Sequence, residues 1–230
     1  MRKLGLIGGM SWYSSRMYYE QLNRRVQKAR GTDHSAPLLI ESLDFQIARQ
    51  ATRDADWETL ANVIAPSAKR LEQAGATALL IAANSVHRVY EDVQDAVDIP
   101  VIHVADEIAE RVKADVDGPA AVLGTRHVMT GNFYRNRLIE NGVELLEPDE
   151  AVVAEIDEII DTELMVGKAT RDSMRDMKTI ITNLERRGAN AIILASTELE
   201  MIVDVDANIM PIFDSTAIHC EAGAEWILGG

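Results

Sequence analysis

The sequence of 230 residues contains a single cysteine, Cys220. One thiol excludes an internal disulfide, and no Cys or His spacing fits a zinc site. No apolar run approaches the roughly 20 residues that a bilayer-crossing helix needs. The opening Arg2-Lys3 is followed only by Leu4–Ile7 before Gly8-Gly9 interrupts, too short for the apolar region of a secretory signal. Positive charge is also scarce. Lys and Arg number 23 against 37 Asp and Glu, a net −14. A polyanion requires basic patches that release its counterions, so nucleic acid is an unsuitable partner. No glycine-rich phosphate loop is present, and Gly8-Gly9 lacks the spacing of a dinucleotide fingerprint. The expectations are a cytoplasmic protein that binds neither membrane nor nucleic acid.

What remains is an ordinary folding composition, 47% hydrophobic and 26% charged. Short continuous apolar runs occur at Leu4–Ile7, Leu38–Ile40, Ala78–Ile81, Val101–His103, Ala120–Leu123, Ala191–Leu194 and Ile212–Phe213. Continuous runs of this kind predict parallel strands covered on both faces. Between them, Leu60, Ile64, Ala68 and Leu71 keep helical spacing, as do Ile156, Ile159, Ile160 and Leu164. Alternation of the two patterns predicts an α/β fold of mostly parallel sheets flanked by helices.

The chain also repeats itself. LEQAGATALLIAANS (71–85) aligns without a gap on LERRGANAIILASTE (184–198), with Gly75 on Gly188. Each copy reads as a helix end, a glycine cap, a buried strand and a polar turn. A weaker echo joins Leu6-Ile7-Gly8-Gly9 to Val122-Leu123-Gly124-Thr125. Two echoes in the same order predict two pseudo-symmetric lobes, residues 1–98 with 208–230 and residues 99–207. Ligands of parallel sheets bind beyond the carboxyl ends of the strands. The repeat places Gly8-Gly9-Met10, Ala83-Asn84-Ser85, Gly124-Thr125 and Ser196-Thr197-Glu198 at such ends, so a cleft between the lobes is expected to hold a small anionic ligand.

These loops resemble the aspartate/glutamate racemase family. LGLIGGMSWYSSRMYYEQLN is similar to its opening IGGM-x-W segment, IAANSVH (81–87) to its P-C-N-T-x-H motif, and LGTRHVMTGNFYRNRL (123–138) to its LGT segment. LASTELEMI (194–202) resembles its G-C-T-E-L motif, and PIFDSTAIHCEAGAEW (211–226) its closing helix. The resemblance implies a cofactor-independent fold with no pyridoxal phosphate and no metal, a homodimer, and an amino acid or related carboxylate as ligand.

The family's racemases use two cysteines, one on each face of the substrate α-carbon, because each direction of proton transfer needs its own base. Here the two positions hold Ala83 and Ser196. Alanine has no proton to exchange, and a lone serine hydroxyl is a very weak acid, so a two-thiol racemisation is not available. The resemblance assigns substrate binding to Met10, Gln46, Asn84, Ser85, Thr125, Lys168 and Thr197. Arg49 and Lys168 are candidates for a distal carboxylate, with Met165 at the place where a basic residue is usual. His87 and Glu198 are read first as structural residues and second as replacement bases, and Cys220 as packed. His34, His103, His127 and His219 are read as structural or surface residues. Two functional readings stand open: an enzyme of atypical route, racemising or acting on one side as a lyase, decarboxylase or isomerase, and a non-catalytic ligand-binding relative.

Overall fold

In the computed structural model, which describes residues 1–205 and 210–229, strands and helices alternate along the chain. The order is β1 (Leu4–Gly8), α1 (Trp12–Arg30), β2 (Leu38–Ser42), α2 (Phe45–Arg53), α3 (Trp57–Gln73), β3 (Ala78–Ile81), α4 (Tyr90–Gln94) and α5 (Val104–Asp115). There follow β4 (Ala120–Gly124), α6 (Arg126–Thr130), α7 (Asn132–Glu140), α8 (Glu150–Thr162), α9 (Arg171–Arg186), β5 (Ala191–Ala195), β6 (Ile212–Asp214) and α10 (Ser215–Leu228). Two compact units result: Met1–His103 with Thr216–Gly230, and Val104–Ser215. The expected boundary at 98/99 lies a few residues before the observed one. The expected boundary at 207/208 lies outside the described residues. Residues 212–214, expected in the first lobe, belong to the second unit because β6 pairs with β5.

The first unit holds a parallel sheet in the order β2-β1-β3, and the second a parallel sheet in the order β4-β5-β6. Single parallel bridges extend each sheet, Leu79 to Val101 in the first and Ala120 to Leu145 in the second. The strand expected at Val101–His103 is therefore reduced to one bridging residue. Pro100 precedes it and lends only a carbonyl to Leu79 N, Ile102 N returns to Leu79 O, and α5 begins at Val104. The Leu145 bridge has no counterpart in the sequence reading, since a single bridging residue leaves no apolar run.

The repeat is structural as well as sequential. Leu4 pairs with Ala78 and Ile7 with Ile81, while Ala120 pairs with Ala191 and Leu123 with Leu194. Both helices that lead into the central strands end the same way. Ala76 N donates to Leu71 O and Gly75 N to Glu72 O; Ala189 N donates to Leu184 O and Gly188 N to Glu185 O. These 6→1 and 5→2 bonds require a left-handed residue, supplied by Gly75 at φ +94° and Gly188 at φ +98°. The next backbone links also correspond, Thr77 N to Lys3 O and Asn190 N to Pro119 O.

The cores follow the predicted stripes. Leu60, Ile64, Ala68 and Leu71 of α3 pack with Ile7, Leu79 and Ile81 on one face of the first sheet. On the other face Tyr18, Leu22 and Val26 of α1 meet Leu4, Leu6, Leu80 and the fully buried Cys220. In the second unit Ile156 and Ile160 of α8 pack with Met177, Ile181, Ile192 and Leu194. Among the described residues no helix is long and apolar enough to cross a membrane.

The turn after β1 is held by Gly9 at φ +87°, where a Cβ would come within 2.2 Å of Leu43 O and 2.4 Å of Leu43 N. Gly31 also has a positive φ, +107°, but nothing lies within 4 Å of its missing Cβ. Gly9→Ala is expected to lower unfolding stability by about 2–4 kcal/mol, and Gly31→Ala by only about 1 kcal/mol. Denaturant titration of the two variants checks the difference, and equal losses would contradict the close approach.

Candidate functional site

Each unit presents a set of polar side chains where its parallel strands end. In the first unit, Ala82 N donates to Ile7 O at 2.9 Å, so the β1 and β3 ends lie side by side. Met10 and Asn84 are buried there, Ser85 is half-buried, and Ala83 is 8% exposed. Gly9 N donates to Ser15 Oγ at 2.7 Å and Ser15 Oγ donates to Ser11 O at 3.1 Å, which folds the β1 loop onto α1. Gln46 stands exposed in the first turn of α2, whose N-cap Asp44 accepts from Gln46 N. Arg49, one turn further, lies half-buried with its guanidinium 5.5 Å from the centre of the Phe45 ring. Trp12 and Tyr13 stack with ring centres 3.8 Å apart.

In the second unit Thr125 is the N-cap of α6, yet its side chain makes no capping bond. Asp157 of α8 accepts the Arg126 N–H at 2.7 Å, satisfying one of the orphan donors at the start of α6. Thr125 Oγ1 is left buried without a hydrogen-bond partner. A buried hydroxyl in that state costs about 1–3 kcal/mol until something bonds to it. At the end of β5, Ser196 and Thr197 are buried, and Ser196 Oγ donates to Glu198 Oε2 at 3.0 Å. Glu198 is itself 6% exposed. The structural reading of Glu198 at a helix start thus acquires a definite partner, one that the spacing of the sequence did not reveal.

Lys168 stands apart from these strand ends. It is exposed on the segment between α8 and α9, after Gly167 in the left-handed conformation. Met165, in the short turn Leu164–Val166, packs against the second core.

Three histidines widely spaced in the sequence meet in the interior of the first unit. The His87 ring lies 4.6 Å from His103 and 5.8 Å from His219, centre to centre, and Tyr90 lies 4.6 Å from His103. Carbonyl oxygens only accept, which assigns the protons. His87 Nδ1 donates to Ala83 O at 3.0 Å, and His219 Nε2 donates to Ile102 O at 2.9 Å. His219 Nδ1 therefore accepts from Tyr18 Oη, 2.9 Å away. Burial, then the neighbouring His103 and His219, holds His87 well below the usual imidazole range, while burial pushes His219 down to about 4. Both rings are neutral near pH 7 and serve as hydrogen-bonding struts behind the Ala83-Asn84 loop. His103 and His219 were expected to be structural or surface residues; they are buried and structural. Among the described residues no group of three or more His, Cys, Asp or Glu side chains is placed to hold a metal ion.

Duplicated parallel α/β units, each with hydroxyl or amide side chains at its central strand ends, define the class. Comparison with known proteins agrees. Residues 7–223 match the Asp/Glu/Hydantoin racemase family. A broad specificity amino-acid racemase, RacX of Bacillus subtilis (strain 168), is 24% identical over 217 residues, 93% of either chain. The crystal structure of a putative Asp/Glu racemase from Yersinia pestis is 36% identical and superposes with a TM-score of 0.91, covering 99% of this chain and 100% of that one. An aspartate racemase homologue from Pyrococcus horikoshii OT3 is 30% identical, with a TM-score of 0.82 over 99% and 100% of the two chains. The chain belongs to the Asp/Glu/hydantoin racemase family.

The neutral histidines carry a pH signature. Their folded pKa values lie below the unfolded value near 6.5, so the unfolded chain binds more protons below that pH and stability falls with it. From pH 7.5 to 5.5 the loss from His219 is expected to be on the order of 1 kcal/mol, levelling off near pH 4, and His87 adds to it in the same direction. Urea unfolding across that range checks the slope; a flat profile would mean that the rings are not held neutral.

Proposed function

We propose that this chain binds a small amino acid or related carboxylate at these strand ends and acts on it, without a cofactor, by a route other than the two-thiol racemisation. The observation that carries the reading is the unpartnered, buried Thr125 Oγ1 at the β4 end. A fold tolerates an unsatisfied buried hydroxyl when a ligand completes it. Thr197, at the β5 end of the same unit, supplies a further hydroxyl suited to an α-carboxylate. The first unit by itself offers Asn84 and Ser85 at its β3 end, with Met10, Gln46 and Arg49 as candidates for a ligand's side chain. Lys168 stands exposed between α8 and α9. The family relationship and the names borne by its relatives point to the same ligand class. A homodimer in the cytoplasm belongs to this reading and is checked by light scattering and cell fractionation.

A second reading, a non-catalytic binder, draws on Ala83, whose methyl group can neither give nor take a proton. It predicts the same binding without turnover.

Calorimetry with L- and D-aspartate and L- and D-glutamate tests the proposal, and no heat with any of the four would overturn it. Thr125→Val is a sharper probe. Replacing an unpaired buried hydroxyl with a methyl group should leave stability unchanged or raise it by about 1 kcal/mol, while ligand binding weakens about tenfold. Equal affinity in the two proteins would remove Thr125 from the site.

A further inference from the structure

The sheet of the first unit has an open edge. Among the described residues β2 pairs only with β1. β1 and β3 are buried at every residue, but in β2 Leu38 and Leu39 are half-buried and Ile40 is 42% exposed. Both faces of the strand are concerned. Ile40 stands level with Leu6 on the α1 side, where Leu38 also packs, while Leu39 belongs to the core on the α3 side. The devices that keep a free edge solitary are missing. Leu38–Ser42 contains no Lys and no Pro, and its one charge, Glu41, is drawn onto Arg70 of α3 by an ion pair. More apolar surface stands beside the edge. Asn23 Oδ1 accepts from Ala36 N at 3.0 Å, so that side of α1 looks onto the chain entering β2. Trp12, Arg16, Tyr19 and Asn23 recur on it at helical spacing, with Trp12 57% and Tyr19 52% exposed.

We propose that the β2 edge, with the Trp12–Tyr19 side of α1, is the surface on which a second copy of this chain docks, the two β2 strands running antiparallel about a two-fold axis. The proposal rests on the homodimer of the reading above and gives it a surface. A bare extended peptide would pair with the backbone yet leave Leu38, Leu39 and Ile40 uncovered. A second copy brings its own α1 and α3, which cover both faces of the strand at once. The size is adequate. Seen edge-on, α1, sheet and α3 form three layers, each about 10 Å thick and about 25 Å long, a face of about 750 Å² against the roughly 800 Å² per partner of a stable interface. The electrostatics are permissive as well. Although the chain carries a net −14, Glu20 is paired with Arg24 and Glu41 with Arg70, so an identical copy meets paired charges there and not a one-signed field.

Light scattering of the full chain and two variants over the micromolar range is the test, with circular dichroism and urea unfolding to verify folding. Ile40→Lys places a charge on the edge. Tyr19→Lys lies on the exposed side of α1 and leaves the strand untouched should the first variant fold poorly. The expected result is a dimer for the natural chain and, in each folded variant, a dissociation constant raised about 100-fold or more. Geometry is read separately with Leu38→Cys, Leu39→Cys, Ile40→Cys, Glu41→Cys and Ser42→Cys, made one at a time; the natural thiol, Cys220, is fully buried. Antiparallel pairing about a two-fold axis sets the position on the axis beside its own copy, so mild oxidation should join at least one of these variants into a covalent dimer. Ile139→Cys, exposed in the second unit, should remain unjoined. A dimer that survives both folded lysine variants, or the absence of any cross-link along β2, would overturn the surface and leave the homodimer standing. A natural chain that stays monomeric would overturn surface and homodimer together, while calorimetry with the four amino acids decides the binding reading independently.

Discussion

The parallel pairing of two buried central strands, made once in each unit, is the constraint on which everything else depends. β1 beside β3 and β4 beside β5 share one register, and in both cases the partner strand is delivered by a helix that stops at a glycine. The stop matters because a parallel neighbour must be reached by a crossover, and the crossover helix must reverse direction within a few residues. A left-handed residue with 6→1 and 5→2 bonds does so while satisfying the helix's last carbonyls. Once the helix ends there, the following strand enters the sheet in a determined register. Its carboxyl end, carrying Ala83-Asn84-Ser85 or Ser196-Thr197-Glu198, then emerges beside the end of the strand already present.

Strand ends of this kind are favourable places for chemistry because the central strands behind them are buried along their whole length. Polar side chains at the ends cannot be solvated as freely as those of surface loops, so each must find a partner or await one. The structure shows both outcomes. Ser15 takes the Gly9 N–H, His87 braces the Ala83 carbonyl, and Asp157 caps α6. Thr125 Oγ1 is left unsatisfied. Such a buried, unpaired hydroxyl costs free energy until something bonds to it.

Duplication explains why the two halves resemble each other, and the residues at their strand ends explain why they are not equivalent. Ala83 and Ser196 occupy corresponding strand ends, yet one is chemically inert and the other is bonded to a buried carboxylate. Symmetry of backbone has outlasted symmetry of chemistry. The histidine cluster adds to the asymmetry, since His87, His103 and His219 brace the first unit, and burial holds His87 and His219 neutral.

The elements themselves were legible in the amino-acid order, because burial on both faces forces continuous apolar runs and a covering helix forces a 3.6-residue stripe. Leu4–Ile7, Ala78–Ile81 and the Leu60–Leu71 stripe needed nothing more, and the glycine caps at Gly75 and Gly188 were visible as a repeat. The family could be read from short motifs. Single-residue events could not. Val101 and Leu145 each bridge a sheet through one residue, which leaves no periodicity to detect. The meeting of His87, His103 and His219, the bond from Ser196 to Glu198 and the orphaned hydroxyl of Thr125 depend on distances between residues that sequence spacing does not encode. Those were decided by tertiary packing, which alone determines the partner that each buried polar atom receives.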